Sequence, residues 1–145
     1  MGDIEIPGIA VYPLQRVITR GGDVLHGMKV TDQGYSGFGE VYFSKIGPGE
    51  IKAWKRHTLM TMNLIVIAGH VRFVFCIDLG GPFMIIQADT VNNYKRLTVA
   101  PGIWFGFEGF SHETSILVNI ADIPHSPTEA ERVDINKINF DWKLT

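Results

Sequence analysis

The chain has 145 residues, 46% of them hydrophobic, with 13 basic and 15 acidic side chains and a net charge of −2. That length fits one domain able to bury roughly 70% of its unfolded surface. The near-balanced charge excludes the electrostatic footprint expected of a nucleic-acid or anionic-membrane binder.

Sixteen glycines and seven prolines punctuate short runs rich in Val, Ile, Phe and Thr. Such runs, recurring about every 8–12 residues, are the pattern of an all-β barrel or jelly roll. In chain order the expected strands are 9–17, 38–46, 50–54, 63–78, 83–88, 95–100, 103–107 and 115–121. The 63–78 run is too long for one strand, and Gly69-His70 is its expected turn. Beyond that turn Val71, Phe73, Phe75 and Ile77 alternate with His70, Arg72, Val74, Cys76 and Asp78, which predicts one fully apolar face. Cys76, the sole cysteine, reads as a buried core thiol that forms no internal disulfide. The segment 127-PTEAER-132 suggests a helical turn, with Pro127 at a first helical position and Glu129 and Glu131 favouring the amino end. No secretion-like segment and no apolar run near ~20 residues is visible, so a soluble cytoplasmic protein is the default expectation. One domain is expected over 1–145, with its core at about 10–135 and a tail at 136–145.

Four stretches, in this order, resemble a known family. They are 41-VYFSKIGPGEIKAW-54, the strand-Gly-strand 64-LIVIAGHVRFVFCID-78, 96-RLTVAPGIWFGF-107 and 117-LVNIADIPHSPTEAER-132. The third is similar to a second cupin motif. Together they resemble the cupin superfamily, in its branch of dTDP-4-dehydrorhamnose 3,5-epimerases and relatives. The resemblance implies a jelly-roll β-barrel (a double-stranded β-helix), a homodimer, and a nucleotide sugar entering the barrel mouth, where such folds generally hold ligands.

Many cupins bind a divalent metal through His-x-His, a Glu and a later His. Here those slots hold Lys55, His57, Met62 (or Thr61) and Phe105. One ligand of four survives, and the lysine adds repulsion, so neither a metal nor another cofactor is expected. The epimerase chemistry implied by the resemblance removes a proton beside a ketone and returns it to the opposite face. That requires a base, an acid and a group to steady the enolate oxygen. In the family the base is a His paired with a buried Asp, the acid is a Tyr, a Lys lies near the ketone, and arginines hold the phosphates. The family's Arg-Gly-Leu-His reads 52-KAWK-55 here, so Lys55 stands at the base position and His57 two residues further on. Met62 falls on the family's Lys, and the loop after 117–122 offers His125 but no Tyr.

The catalytic candidates are therefore His57, Lys55, Tyr42 and His125. His57 suits proton transfer near neutral pH, against the alternative of a solvated histidine. Lys55 suits an enolate or a phosphate, against a surface lysine. Tyr42 shares a strand face with Glu40 and Ser44 and can replace the missing acid. His125 sits in the rigid 123-IPHSP-127 loop. Candidate substrate contacts are Arg20, in an Arg-Gly pair resembling the family's, Lys52 for phosphate, Trp54 for base stacking, and Asn119, structural or ligand-binding. The expected activity is that of a metal-independent epimerase or isomerase of a dTDP-type 4-keto sugar in polysaccharide biosynthesis. The alternative is a non-catalytic cupin that binds the sugar nucleotide.

Overall fold

A computed structural model describes residues 4–143. Its strands are β1 (Ile9–Pro13), β2 (Arg16–Val17), β3 (Val24–Leu25), β4 (Glu40–Ile46), β5 (Ile51–His57) and β6 (Met62–Ala68). They continue as β7 (His70–Cys76), β8 (Met84–Asp89), β9 (Lys95–Val99), β10 (Trp104–Gly109), β11 (Ser115–Ala121) and β12 (Ala130–Arg132). Two five-stranded antiparallel sheets, ordered β1-β9-β6-β11-β4 and β12-β5-β10-β7-β8, face each other, and β2 and β3 form a separate hairpin. This is the expected jelly roll.

Period-two alternation decides what fills the space between the sheets. Met62, Leu64 and Val66 of β6, Leu97 and Val99 of β9, Val71, Phe73 and Phe75 of β7, and Phe105 and Phe107 of β10 join one buried cluster. Gly69 makes the β6–β7 turn as expected, at φ 76°. A Cβ there would stand 2.8 Å from the Cα of Ser115, so the position demands glycine on both counts.

The second face of β7 is buried as well, which alternation does not reveal. Val74 and Cys76 join Trp54, Trp104 and Ile138 in a second cluster, with Val133, Phe140 and Trp142 packed against it. Residues 133–142 therefore lie across the outer face of the β5-β10-β7 sheet. Arg72, 2% exposed, secures them from beneath: its guanidinium donates to Glu108 and to the Trp142 carbonyl. Part of the expected tail is thus core. Burial pushes the Cys76 thiol up to about 11, as suits an inert core residue.

Several expected elements change. The 9–17 run breaks after Pro13 into β1 and the two-residue β2, and Ile77 lies beyond β7, 45% exposed. The 50–54 strand extends to His57, which carries Lys55 and His57 onto the sheet. The expected helical turn at 127–132 is a single turn, closed by Glu129 N–H donating to the Ser126 carbonyl, followed by a strand. Pairing of Ala130, Glu131 and Arg132 with His57, Arg56 and Lys55 overrides the local helical preference.

Candidate active site

Between the sheets lies a cavity of about 700 Å³. One wall is β5, whose residues Ile51, Ala53, Lys55 and His57 border it; the facing wall brings Tyr42 and Ser44 from β4 and Asn119 from β11. Phe105, Phe107, Met62, Leu64 and Leu117 supply apolar lining, and Arg132 of β12 stands at its margin. An apolar cavity with a few convergent polar groups is the general form of a small-molecule site.

His57 is 2% exposed, which removes the solvated reading. Its ring lies parallel to Phe105, with centroids 6.0 Å apart and planes 14° apart, so the residue in the second cupin His position serves as the imidazole's shelf. Nδ1 meets the Glu129 carboxylate, which is itself buried. The other Glu129 oxygen accepts the backbone N–H groups of Thr58 (3.2 Å), Leu59 (3.1 Å) and Met60 (3.2 Å). Burial works to raise the Glu129 pKa, but the hydrogen bonds from His57 and from the amides of Leu59 and Met60 outweigh it and hold it below the usual carboxylate value. Burial lowers the His57 pKa against the opposing pull of Glu129, with Lys55 and Arg132 adding to the decrease. The pair at neutral pH is therefore a carboxylate and a neutral imidazole. Nδ1–H donates to Glu129, leaving Nε2 as the lone-pair nitrogen, the form a general base needs.

Lys55 is half-buried in the cavity, and Arg132 is its cross-strand partner. Burial and the Arg132 charge lower its pKa, with Glu129 opposing. Two facing cations on neighbouring strands form a seat for an anionic group. Across the cavity the Tyr42 hydroxyl accepts from Asn119 Nδ2 at 2.8 Å and lies 3.5 Å from the Met60 sulfur. Burial raises the Tyr42 pKa; the Asn119 hydrogen bond opposes this, while Glu40 and Glu129 add to it.

The remaining candidates separate. Lys52 borders the cavity but is exposed and donates to the Lys45 carbonyl at 2.6 Å. Trp54 is 1% exposed: its ring packs against Phe83, Phe140 and Trp142, and Nε1 donates to the Ile135 carbonyl. Trp54 borders the cavity too, but with its ring filling the second core it leaves almost no surface on which a base could stack. His125 is exposed in its loop, held through its backbone N–H by Glu40, and does not border the cavity. Arg20 is exposed in the β2–β3 hairpin and does not border it either. Among the described residues no group of three or more His, Cys, Asp or Glu converges as a metal site. Sequence reasoning missed Glu129 and Arg132. The available signal for Glu129 was the acid that the resemblance implies beside the base.

A scan against protein-family models and a search of curated proteins both match nothing. Solved structures do match. A dTDP sugar isomerase from Desulfovibrio desulfuricans G20 is 32% identical, with 97% of this chain and 94% of that one aligned at a TM-score of 0.90. A sugar 3,4-ketoisomerase from Thermoanaerobacterium thermosaccharolyticum, in complex with TDP, is 16% identical over 93% and 95% of the chains at 0.75. A 4-keto-6-deoxy sugar epimerase from Streptomyces spheroides is 15% identical over 97% and 77% at 0.82. The last two share the fold. The first, similar in sequence over nearly the whole of both chains, shows that this protein belongs to the dTDP-4-dehydrorhamnose 3,5-epimerase-like branch of the cupin superfamily, the branch of dTDP-sugar isomerases and epimerases.

Proposed function

We propose that the protein is a metal-independent isomerase or epimerase of a dTDP-type 4-keto sugar. The observation that carries this reading is the buried His57–Glu129 pair at the wall of a sugar-sized cavity. His57 Nε2 takes the proton from the carbon beside the ketone. The C–H electron pair becomes a C=C bond as the carbonyl π pair moves to oxygen, giving an enolate. Lys55 and Arg132 face the negative charge of the ligand, whether enolate oxygen or diphosphate. Tyr42 stands on the opposite sheet from His57, where a proton donor can reach the other face of the same carbon. Epimerisation follows if that face is protonated. A shift of the ketone follows if the hydroxyl proton of the deprotonated carbon passes to the enolate oxygen and the abstracted proton is delivered to the former carbonyl carbon. The new C=O then stands on the carbon first deprotonated.

Binding without chemistry is a second reading, favoured by the Met62 and Phe105 replacements at family catalytic positions. Homodimer formation belongs to the proposal and is supported by the exposed apolar row Phe38, Val41 and Phe43 on and beside edge strand β4, 61%, 40% and 64% exposed. Arg20, remote from its own cavity, can contact substrate only across such an interface. A cytoplasmic role in polysaccharide biosynthesis is proposed with it.

Incubation with a dTDP-4-keto-6-deoxy sugar in heavy water tests the reading by NMR. Deuterium entry at carbons 3 and 5, lost in His57→Ala, is the expected result, and the product's carbonyl position tells epimerase from ketoisomerase. A thermal shift with dTDP but no exchange would leave a binding protein.

A further inference from the structure

Asn119 occupies the cavity wall without being free to serve a ligand. It is 4% exposed, and its two amide atoms are already committed. Oδ1 accepts the backbone N–H of Asn63 at 3.2 Å, and Nδ2 reaches the Tyr42 hydroxyl at 2.8 Å. The orientation of this amide is chemically determined, because a backbone N–H can only be met by the oxygen. Nδ2 therefore donates, and the Tyr42 oxygen receives that hydrogen bond as an acceptor. The proton of Tyr42 must then point elsewhere. Among the described residues its other hydrogen-bond neighbour is the Met60 thioether, 3.5 Å away, a weak acceptor that Asn119 Nδ2 also approaches at 3.7 Å. The cross-strand register Asn119↔Tyr42 holds the two side chains side by side between β11 and β4.

From this we infer that Asn119 is a positioning residue: by donating to the Tyr42 oxygen it forbids the phenol from donating to the sheet and reserves the Tyr42 proton for a group in the cavity. This rests on the proposed sugar chemistry, and it corrects the expectation that Asn119 binds substrate directly. The same donated bond stabilises the phenolate left after proton transfer, so it helps both before and after the step. In the step itself the O–H bond of Tyr42 breaks, its proton forms the new C–H bond of the sugar, and the enolate electron pair returns to the carbonyl. Met60 provides a resting place for the proton that is easily given up. Titratable groups that act on Tyr42 are Glu40 on its own strand and Glu129 from the turn before β12, with Lys55 and His57 across the cavity. From β11 and the 58–61 segment it meets only the neutral Asn119 and Met60.

Asn119→Asp separates this role from a merely structural one. The aspartate keeps an acceptor for the Asn63 N–H but turns its second oxygen toward Tyr42, where it captures the phenol's proton. Expected are a turnover lowered by about 10²–10⁴-fold, the range for loss of a general acid, and a KM within threefold of the parent. Adding Tyr42→Phe should lower turnover no further. Ultraviolet titration of the tyrosines, with Tyr42→Phe as the baseline, should show Tyr42 ionising at higher pH in Asn119→Asp than in the parent, independently of any substrate. A raised KM with unchanged turnover, or additive losses in the double variant, would overturn the inference and make Asn119 a substrate contact. An unmoved Tyr42 titration would overturn it too. Should the unaltered protein fail to exchange deuterium, the sugar chemistry fails, and the titration still decides whether Asn119 controls the Tyr42 proton.

Discussion

Replacing Glu129 by glutamine tests the centre of the site, because the change preserves shape while removing charge. The carboxylate accepts from Thr58, Leu59 and Met60 on one oxygen and from His57 on the other. Three backbone donors need an oxygen, so the glutamine carbonyl must turn toward them and its NH2 toward His57 Nδ1. That nitrogen can then only accept, the ring proton moves to Nε2, and the base loses its lone pair toward the cavity. In serine proteases the corresponding loss of the correct tautomer costs about 10⁴-fold, and a fall of about 10³–10⁴-fold in exchange is expected here. The three backbone bonds change from charge-assisted to neutral at about 1 kcal/mol each, partly offset by easier burial, so a net destabilisation of about 2–3 kcal/mol is expected. At about 2–4 °C per kcal/mol for a chain of this size, Tm should fall by about 5–10 °C. Deuterium exchange by NMR and a thermal melt measure both. Exchange within tenfold of the parent, with Tm unmoved, would refute the tautomer argument.

The pH dependence has one sign. His57 and Glu129 are both lowered by folding, so the unfolded chain binds more protons, and stability is fully present above the ordinary values of 6.5 and 4.5. It should be lost as pH falls through the lower folded values, and the acidic limb of kcat/KM should lie below pH 6.5, the ordinary histidine value. An acidic limb above that value would contradict a buried, neutral His57. On the opposite side of the sheet, Ile138→Ala removes a side chain 2% exposed from the second cluster. A cost of about 2–5 kcal/mol is expected by denaturant titration, and an effect under 1 kcal/mol would mean the 133–142 segment is loosely held.

The fold was legible because its signals are local. Glycine and proline punctuation, alternation in β4 and β7, and the Gly69 turn each express a constraint carried by neighbouring residues. Tyr42 was singled out because alternation along its strand assigns its face, whereas Lys55 and His57, beyond the expected end of the 50–54 strand, were singled out by their register with the family motif. The Glu129 contact was not, since it joins positions 72 residues apart and no periodicity links them. Acidic residues after a proline carry the same local signature whether they start a helix or end in a backbone cradle, and only β12 pairing with β5 decides between these. Trp54 failed as a stacking candidate for a related reason. Its exposure depends on residues 133–142 crossing the sheet, and a chain segment with one buried isoleucine and scattered aromatics resembles a solvated tail. The outward-facing β2–β3 hairpin likewise separates Arg20 from the motif context that suggested it.

The seating of β12 against β5 ties chemistry to the order of synthesis. Ten of the twelve strands among the described residues, together with Tyr42 and His57, precede β11, whereas Glu129 and Arg132 arrive only after β11 has been made. A chain interrupted before residue 129 would hold most of the barrel's sheet partners but neither the acid that sets the imidazole's tautomer nor the second cation beside Lys55. Proton transfer would thus be acquired only after the barrel's main sheet partners have been made, so a fragment able to collapse around the barrel core could not carry out the conversion proposed for the sugar.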